Sequence, residues 1–302
     1  MMTGNMINTF RGYVSVQECD EMGHMNIQRY ISKTSDASFH LRDALGISAS
    51  DQATSGTGYV ALEHHMRFHR ELRVSDLVHI RSGIVEMGNR TLIKYQEMRE
   101  QLDDRLAATF VVTTGCLDLN TRRLTPWPDA MRAKAAEITI TLPDYAKPRG
   151  LPPEIMERDV TLARADAAKM FESNRSVVYP WECDTNHHMN ARFIMARFSD
   201  AQGHMWAAAG LGRHDQAAMG LATATVEMRL IYFSELNAGD TLYVRTGLVE
   251  AADKTLRYRH WMFNAKTHAP VCAAEGLGLL FSRETRKAVP IPAQVATRFA
   301  AR

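Results

Sequence analysis

The stretch Glu18-Cys19-Asp20-Glu21-Met22-Gly23-His24-Met25-Asn26 returns as Glu182-Cys183-Asp184-Thr185-Asn186-His187-His188-Met189-Asn190. Each residue of the first copy lies 164 positions before its counterpart. A carboxylate, an imidazole four residues on and an Asn two further on thus occur twice at one spacing. Asp and Asn are good helix-starting residues. The residues after each copy have the apolar spacing of a long amphipathic helix. Each copy is expected to set an acid beside the positive end of a buried helix, where a carbonyl can be polarised.

The same shift holds without a gap beyond the motif. Ser35-Asp36-Ala37 matches Ser199-Asp200-Ala201, Glu71-Leu72 matches Glu235-Leu236, and Thr121-Arg122 matches Thr285-Arg286. The chain is therefore a duplication, with repeats at 9–128 and 173–292 and a linker at 129–172. In repeat 1, residues 12–17 alternate and predict a short strand. Asn26 to about Leu45 predicts a helix, with Gly46 as its stop. Residues 51–58 predict a loop, and 59–69, 77–87, 91–100 and 106–117 predict strands separated by turn signals. One helix followed by an antiparallel meander is an α+β layout, the helix covering one sheet face. Strand parity puts Leu62, His64, Met66 and Phe68 on the inner face. The other row, Glu63, His65, Arg67 and His69 with Glu227, Arg229, Ile231 and Phe233, is expected to face solvent or another subunit. Glu63 and Glu227 would then pair with Arg67 or Arg229. The linker predicts helical pieces at 129–137 and up to about Met170 around a proline-rich crossing at 142–153.

The chain has 302 residues, 45% hydrophobic and 23% charged, enough to bury a core. Its 36 basic and 34 acidic side chains leave a net charge of +2. This balance argues for no nucleic acid and no membrane as partner. Residues 1–10 lack a basic segment and an apolar core, so no signal peptide is expected. Cys19, Cys116, Cys183 and Cys272 form no C-x-x-C pair, which suggests reduced thiols and a cytoplasmic protein. His64, His65 and His69 crowd one strand, but parity separates them, so no metal site is expected. There is no G-x-S-x-G, P-loop or G-x-G-x-x-G stretch, and no cofactor is expected.

Strand, D-x-x-G-H-x-N, long helix and four-stranded meander together resemble the hotdog-fold acyl-CoA thioesterases of the 4-hydroxybenzoyl-CoA thioesterase-like branch. The resemblance covers both repeats and implies a double hotdog, in which two fused repeats imitate a homodimer. Copy 1 carries Asp20, Gly23, His24 and Asn26 at the family spacing; copy 2 has His187 in place of Gly. The resemblance implies an acyl-CoA substrate, hydrolysed to free acid and CoA. By motif position the amide of Ile27 or Ala191 would be the oxyanion donor. Asp20 or Asp184 would be general base or nucleophile, and His24 or His188 would orient the carboxylate or a water. Asn26 and Asn190 would be caps or substrate contacts. Hotdog sheets usually associate, so a homo-oligomer is expected.

A thioester needs little else. Negative charge grows on the carbonyl oxygen, and one fixed donor there contributes about 3 kcal/mol. The first N–H groups of a helix lack internal partners and carry the positive end of its dipole. An Asp before a helix is also an ordinary cap, and the doubling with a neighbouring His is what favours chemistry. Asp36, Asp200, His40 and His204, further along the helices, would line an acyl pocket or make helix–sheet polar contacts. Two other classes stay open. A hotdog enoyl-CoA hydratase or dehydratase would carry H-F-P-G or D-x-N-P-x-H, and neither is present. A non-catalytic acyl-CoA sensor would bind without releasing thiol.

Overall fold

A computed structural model describes residues 5–48, 51, 54–293, 295 and 297. The chain divides into two compact units, the boundary falling between Pro148 and Arg149. Unit 1 runs β1 (Ile7–Tyr13), α1 (Ile27–Ala44), β2 (Thr57–Phe68), β3 (Leu77–Met87), β4 (Thr91–Glu100), β5 (Leu106–Asp118), the short β6 (Arg123–Leu124) and α2 (Asp129–Glu137). Its strands are ordered β1-β3-β4-β5-β2, with β6 paired to β5, all antiparallel.

Unit 2 runs α3 (Leu162–Ala167), β7 (Phe171–Val177), α4 (Ala191–Ala208), α5 (Arg213–Ala218), β8 (Leu221–Tyr232), β9 (Thr241–Ala251), β10 (Leu256–Asn264), β11 (Pro270–Ser282) and β12 (Ala288–Val289). Its order is β7-β9-β10-β11-β8, with β12 on β11. The 164-residue shift maps β1, α1, β2, β3 and β5 onto β7, α4, β8, β9 and β11 with the same ends. Even the register shifts recur: Asn8/Phe10 becomes Glu172/Asn174, and Ala61/Glu63 becomes a shift at Glu227/Thr225. Each unit is a long helix on an antiparallel sheet, and the chain is a double hotdog.

The helices form for reasons visible in their residues. In α1 the buried positions Tyr30, Ile31, Thr34, Ala37 and Leu41 share one stripe, and in α4 they are Ile194, Met195, Phe198, Ala201 and Met205. That stripe lies on the inner sheet face: Tyr30 meets Phe68 edge-on at 5.2 Å. Gly46 (φ 76°) and Gly210 (φ 75°) close the helices in the left-handed conformation that spares glycine a steric cost. Asp36, His40, Asp200 and His204 all lie exposed, so the expected helix–sheet contacts are not made within the units.

The first strand differs from the prediction. It is Ile7–Tyr13, and the alternating residues 12–17 run instead into a 3₁₀ turn at Val16–Glu18. Ser15 and Tyr179 open these turns, and Glu18 and Glu182 return to the Ser15 and Tyr179 N–H groups at 2.9 and 3.0 Å. Local side-chain bonding thus competes with the ladder and ends the strand. The predicted loop at 51–58 falls partly outside the described residues; Thr57 and Gly58 already belong to β2.

Much of the outer row is not a solvent face, although Phe233 is 36% exposed and Glu63, Arg67 and His69 are half-buried. His65, Glu227, Arg229 and Ile231 are each at most 4% exposed. The segment predicted as a crossing is laid onto the sheets. In unit 1, Arg67 donates to the carbonyls of Tyr145 and Lys147 at 2.6 and 3.1 Å, and Tyr145 donates its hydroxyl to Glu97 at 2.9 Å. In unit 2, the N–H groups of Arg149 and Gly150 donate to Glu227 at 3.0 and 2.7 Å, and Arg229 donates to Leu151 O at 3.0 Å. Behind this strap Val160, Ala165 and Met170 pack on Tyr243, Trp261 and Phe263.

One buried acid on this face gives a pH-dependent result. Glu275 stands cross-strand from Arg229 and from Arg259, and is 2% exposed. Burial pushes its carboxyl up to about 7, against the pull of Arg259 and Arg257. Unfolded, it titrates near 4.5. Between these values the folded chain holds a proton that the unfolded chain has released. Glu275 therefore makes stability fall as pH rises from about 4.5 to 7, by on the order of 3 kcal/mol. Urea unfolding midpoints from pH 5 to 8 should fall more steeply in the parent than in Glu275→Gln.

Candidate active site

Each motif forms a closed loop against the start of its helix. Glu18 O accepts the Asn26 N–H at 2.8 Å, so residues 18 and 26 meet, and Glu182 O accepts Asn190 N–H at 2.9 Å. The Glu side chain then ties the loop to the helix flank. Lys33 donates to both Glu18 oxygens at 2.8 and 3.0 Å and to Tyr13 O. Its counterpart Arg197 donates to both Glu182 oxygens at 2.9 and 2.8 Å and to Val177 O.

Inside the loop the acid is fixed by backbone. Oδ1 of Asp20 accepts the N–H of Met22 at 2.9 Å and of His24 at 3.3 Å, and the Asp20 N–H donates to His24 O. Oδ1 of Asp184 accepts from Asn186 at 2.8 Å and His188 at 3.4 Å. Asp20 is half-buried, and burial raises its carboxyl above the usual 3.8, partly opposed by those two N–H donors. His187 does not change the turn: its φ is 64° against 75° for Gly23, and its N–H makes the same bond to Asp184 O, at 2.9 against 3.0 Å.

Asn26 and Asn190 are helix caps, each accepting the N–H two residues on at 3.0 Å. Among the described residues, the N–H groups of Ile27 and Ala191 donate to no acceptor. They are the first N–H groups of α1 and α4, half-buried, at the positive end of the helix dipole.

The imidazoles have partners that motif reading did not name. His24 Nε2 lies 3.2 Å from Glu71 Oε2, and His188 Nε2 lies 3.2 Å from Glu235 Oε2. The backbone holds each pair in place: Met25 N–H donates to Leu72 O at 2.7 Å, and Met189 N–H to Leu236 O at 2.8 Å. The repeated Glu71-Leu72 and Glu235-Leu236 pairs carried the signal, but nothing local linked them to the histidines. A carboxylate behind an imidazole fixes its orientation and tautomer. The double change Glu71→Gln, Glu235→Gln should therefore lower kcat by roughly ten- to a hundredfold with little change in KM, less than the 10²–10⁴ of a lost acid–base group. Steady-state kinetics on one thioester checks this.

All four cysteines are free. Burial raises the thiols of Cys19 and Cys183, which opposes a thiolate at either loop. His64 is buried and driven down to about 3, hence neutral. Among the described residues no cluster of three or more His, Cys, Asp or Glu side chains has a metal-holding arrangement. Nor does any described helix have the length and apolarity to cross a membrane.

A family profile described as the thioesterase-like superfamily matches residues 14–135 and 178–299, which together make up most of the chain and contain both loops. The chain belongs to this superfamily. Solved structures with the same two-repeat fold include a Lactobacillus plantarum protein assigned as an oleoyl thioesterase. It has 16% identity and a TM-score of 0.71, over 91% of this chain and 96% of that one. An acyl-ACP thioesterase from Bacteroides thetaiotaomicron has 10% identity and a TM-score of 0.67, over 90% and 97%. A 12:0-ACP thioesterase from Umbellularia californica has 14% identity and a TM-score of 0.64, over 90% and 94%. No curated protein matches the sequence. Superfamily and fold together support thioester hydrolysis as the reaction class of this thioesterase-like chain.

Proposed function

We propose that the chain is an acyl-CoA thioesterase, hydrolysing its substrate to free acid and CoA at the loops around Asp20 and Asp184. The observation that carries this reading is the unpaired first N–H of each helix, Ile27 and Ala191, on the same closed loop as a backbone-fixed aspartate. The thioester oxygen accepts that N–H, which becomes a stronger donor site as charge grows on the oxygen. Asp20 or Asp184 takes a proton from the attacking water, or attacks the carbonyl carbon itself. His24 and His188, held by Glu71 and Glu235, orient the water. The C–S bond then breaks and CoA leaves as a thiolate, so no strong general acid is required; on the route where the aspartate attacks, water then hydrolyses the acyl–aspartyl anhydride to release the acid and restore the carboxylate. Asn26 and Asn190 act as caps that leave the adjoining amide exposed to substrate.

The test is thiol release over short, branched, aromatic and cationic acyl-CoAs, with acyl carrier protein thioesters alongside, because two structures of this fold carry that substrate in their names. Release of CoA is expected. Tight binding with no thiol released would mean a sensor, and hydration of an enoyl-CoA would mean a hydratase.

A further inference from the structure

The duplication supplies an internal comparison, and the two copies differ just before the motif. In unit 1 a groove of about 330 Å³ opens there, walled by Phe10 and Tyr13 and reaching Arg29 and Lys33. Ser15 and Gln17 also line it. The counterparts of Ser15, Gln17 and Arg29 in repeat 2 are Tyr179, Trp181 and Phe193. Tyr179 and Trp181 stack on each other at 4.5 Å and 7°. At these three positions repeat 2 carries aromatic rings instead, with Tyr179 and Trp181 largely exposed and the Arg192 guanidinium engaged over the Phe193 ring at 5.0 Å.

The charge in the groove is uncompensated. Glu18 also lines it, but its carboxylate is taken by Lys33, whose ammonium is in turn used on Glu18 and Tyr13 O. Arg29 is half-buried and, among the described residues, its side chain makes no hydrogen bond or ion pair. One net positive charge remains, on a guanidinium whose planar fork suits phosphate oxygens. It stands on the first turn of α1, where the dipole adds to it. The volume is of ligand size.

We infer that this groove is a phosphate subsite, taking the phosphate of the phosphopantetheine arm that carries the thioester, and that repeat 1 has it and repeat 2 does not. The inference rests on the proposed thioesterase reading, and it makes the two repeats unequal. CoA and an acyl carrier protein both bring this phosphate.

Calorimetric titration of the full chain with 4′-phosphopantetheine and with pantetheine tests it without any hydrolysis. The phosphorylated probe should bind more tightly. Arg29→Gln should cut that preference roughly tenfold, the size of one lost charge-assisted hydrogen bond. Equal affinity for both probes, or a preference unmoved by Arg29→Gln, would overturn the inference. In kinetics, a raised KM in Arg29→Gln for acyl-CoA or for the acyl carrier protein thioester identifies the carrier, and no rise for either counts against the subsite. A chain that binds phosphopantetheine through Arg29 but hydrolyses no thioester would refute the proposed activity and leave the subsite standing.

Discussion

Changing both Asp20 and Asp184 to Asn is expected to lower kcat for acyl-CoA by roughly 10²–10⁴, the range for a lost acid–base group. The substitution is nearly isosteric, and the geometry says why the fold should not register it. The N–H groups of Met22 and His24 bond Oδ1 of Asp20, and an amide oxygen accepts them equally well. Thermal unfolding of the double variant should match the parent, so lost activity reports chemistry. The single variants divide the rate between the loops. Because burial lifts Asp20 above 3.8, the rising limb of the pH–rate profile should lie above that value, and it should disappear in Asp20→Asn if repeat 1 dominates. A double variant with parental activity would end the mechanism.

Glu182→Ala should unfold the chain at markedly lower urea, at a cost of about 3–5 kcal/mol, the usual penalty for breaking a buried pair from one side. Arg197 and Glu182 have side chains only 11% and 6% exposed, and Arg197 uses one nitrogen on both Glu182 oxygens. Removing the acid takes the paired carboxylate from the Arg197 guanidinium on α4, leaving it the electrostatic influence of Asp200, and the Tyr179 N–H loses its acceptor. Glu18→Ala should cost less, because Glu18 is 19% exposed and water reaches Lys33 more easily. Chemical denaturation of both variants decides the order. A loss below about 1 kcal/mol for Glu182→Ala would place this pair with surface ion pairs.

Local chemistry made much of this legible. The helix at Ile27–Ala44 was readable because Asn26 caps it and Gly46 ends it. The strands Leu77–Met87 and Thr91–Glu100 matched to the residue because turn signals at Ser75-Asp76 and Gly88-Asn89 punctuate them. The loop around Asp20 was readable because it occurs twice. The strap was not. Nothing in Arg149-Gly150-Leu151 announces that its amides will meet Glu227, some 76 to 78 residues away. The expectation that the outer face meets solvent or another subunit rested on parity alone, which separates two faces but does not say what covers them. The Glu71 and Glu235 partners were hidden for the same reason, since they reach the imidazoles from the far end of a strand.

The strap bears on how copies of the chain could associate. A second molecule could stack onto an outer sheet face only by peeling away residues whose amides and carbonyls already occupy Glu227, Arg229 and Arg67. Each displaced bond would need a replacement of equal quality from the newcomer. Any assembly in solution should therefore mate through other surfaces, and dilution should dissociate it without loosening the Tyr145–Glu97 clasp.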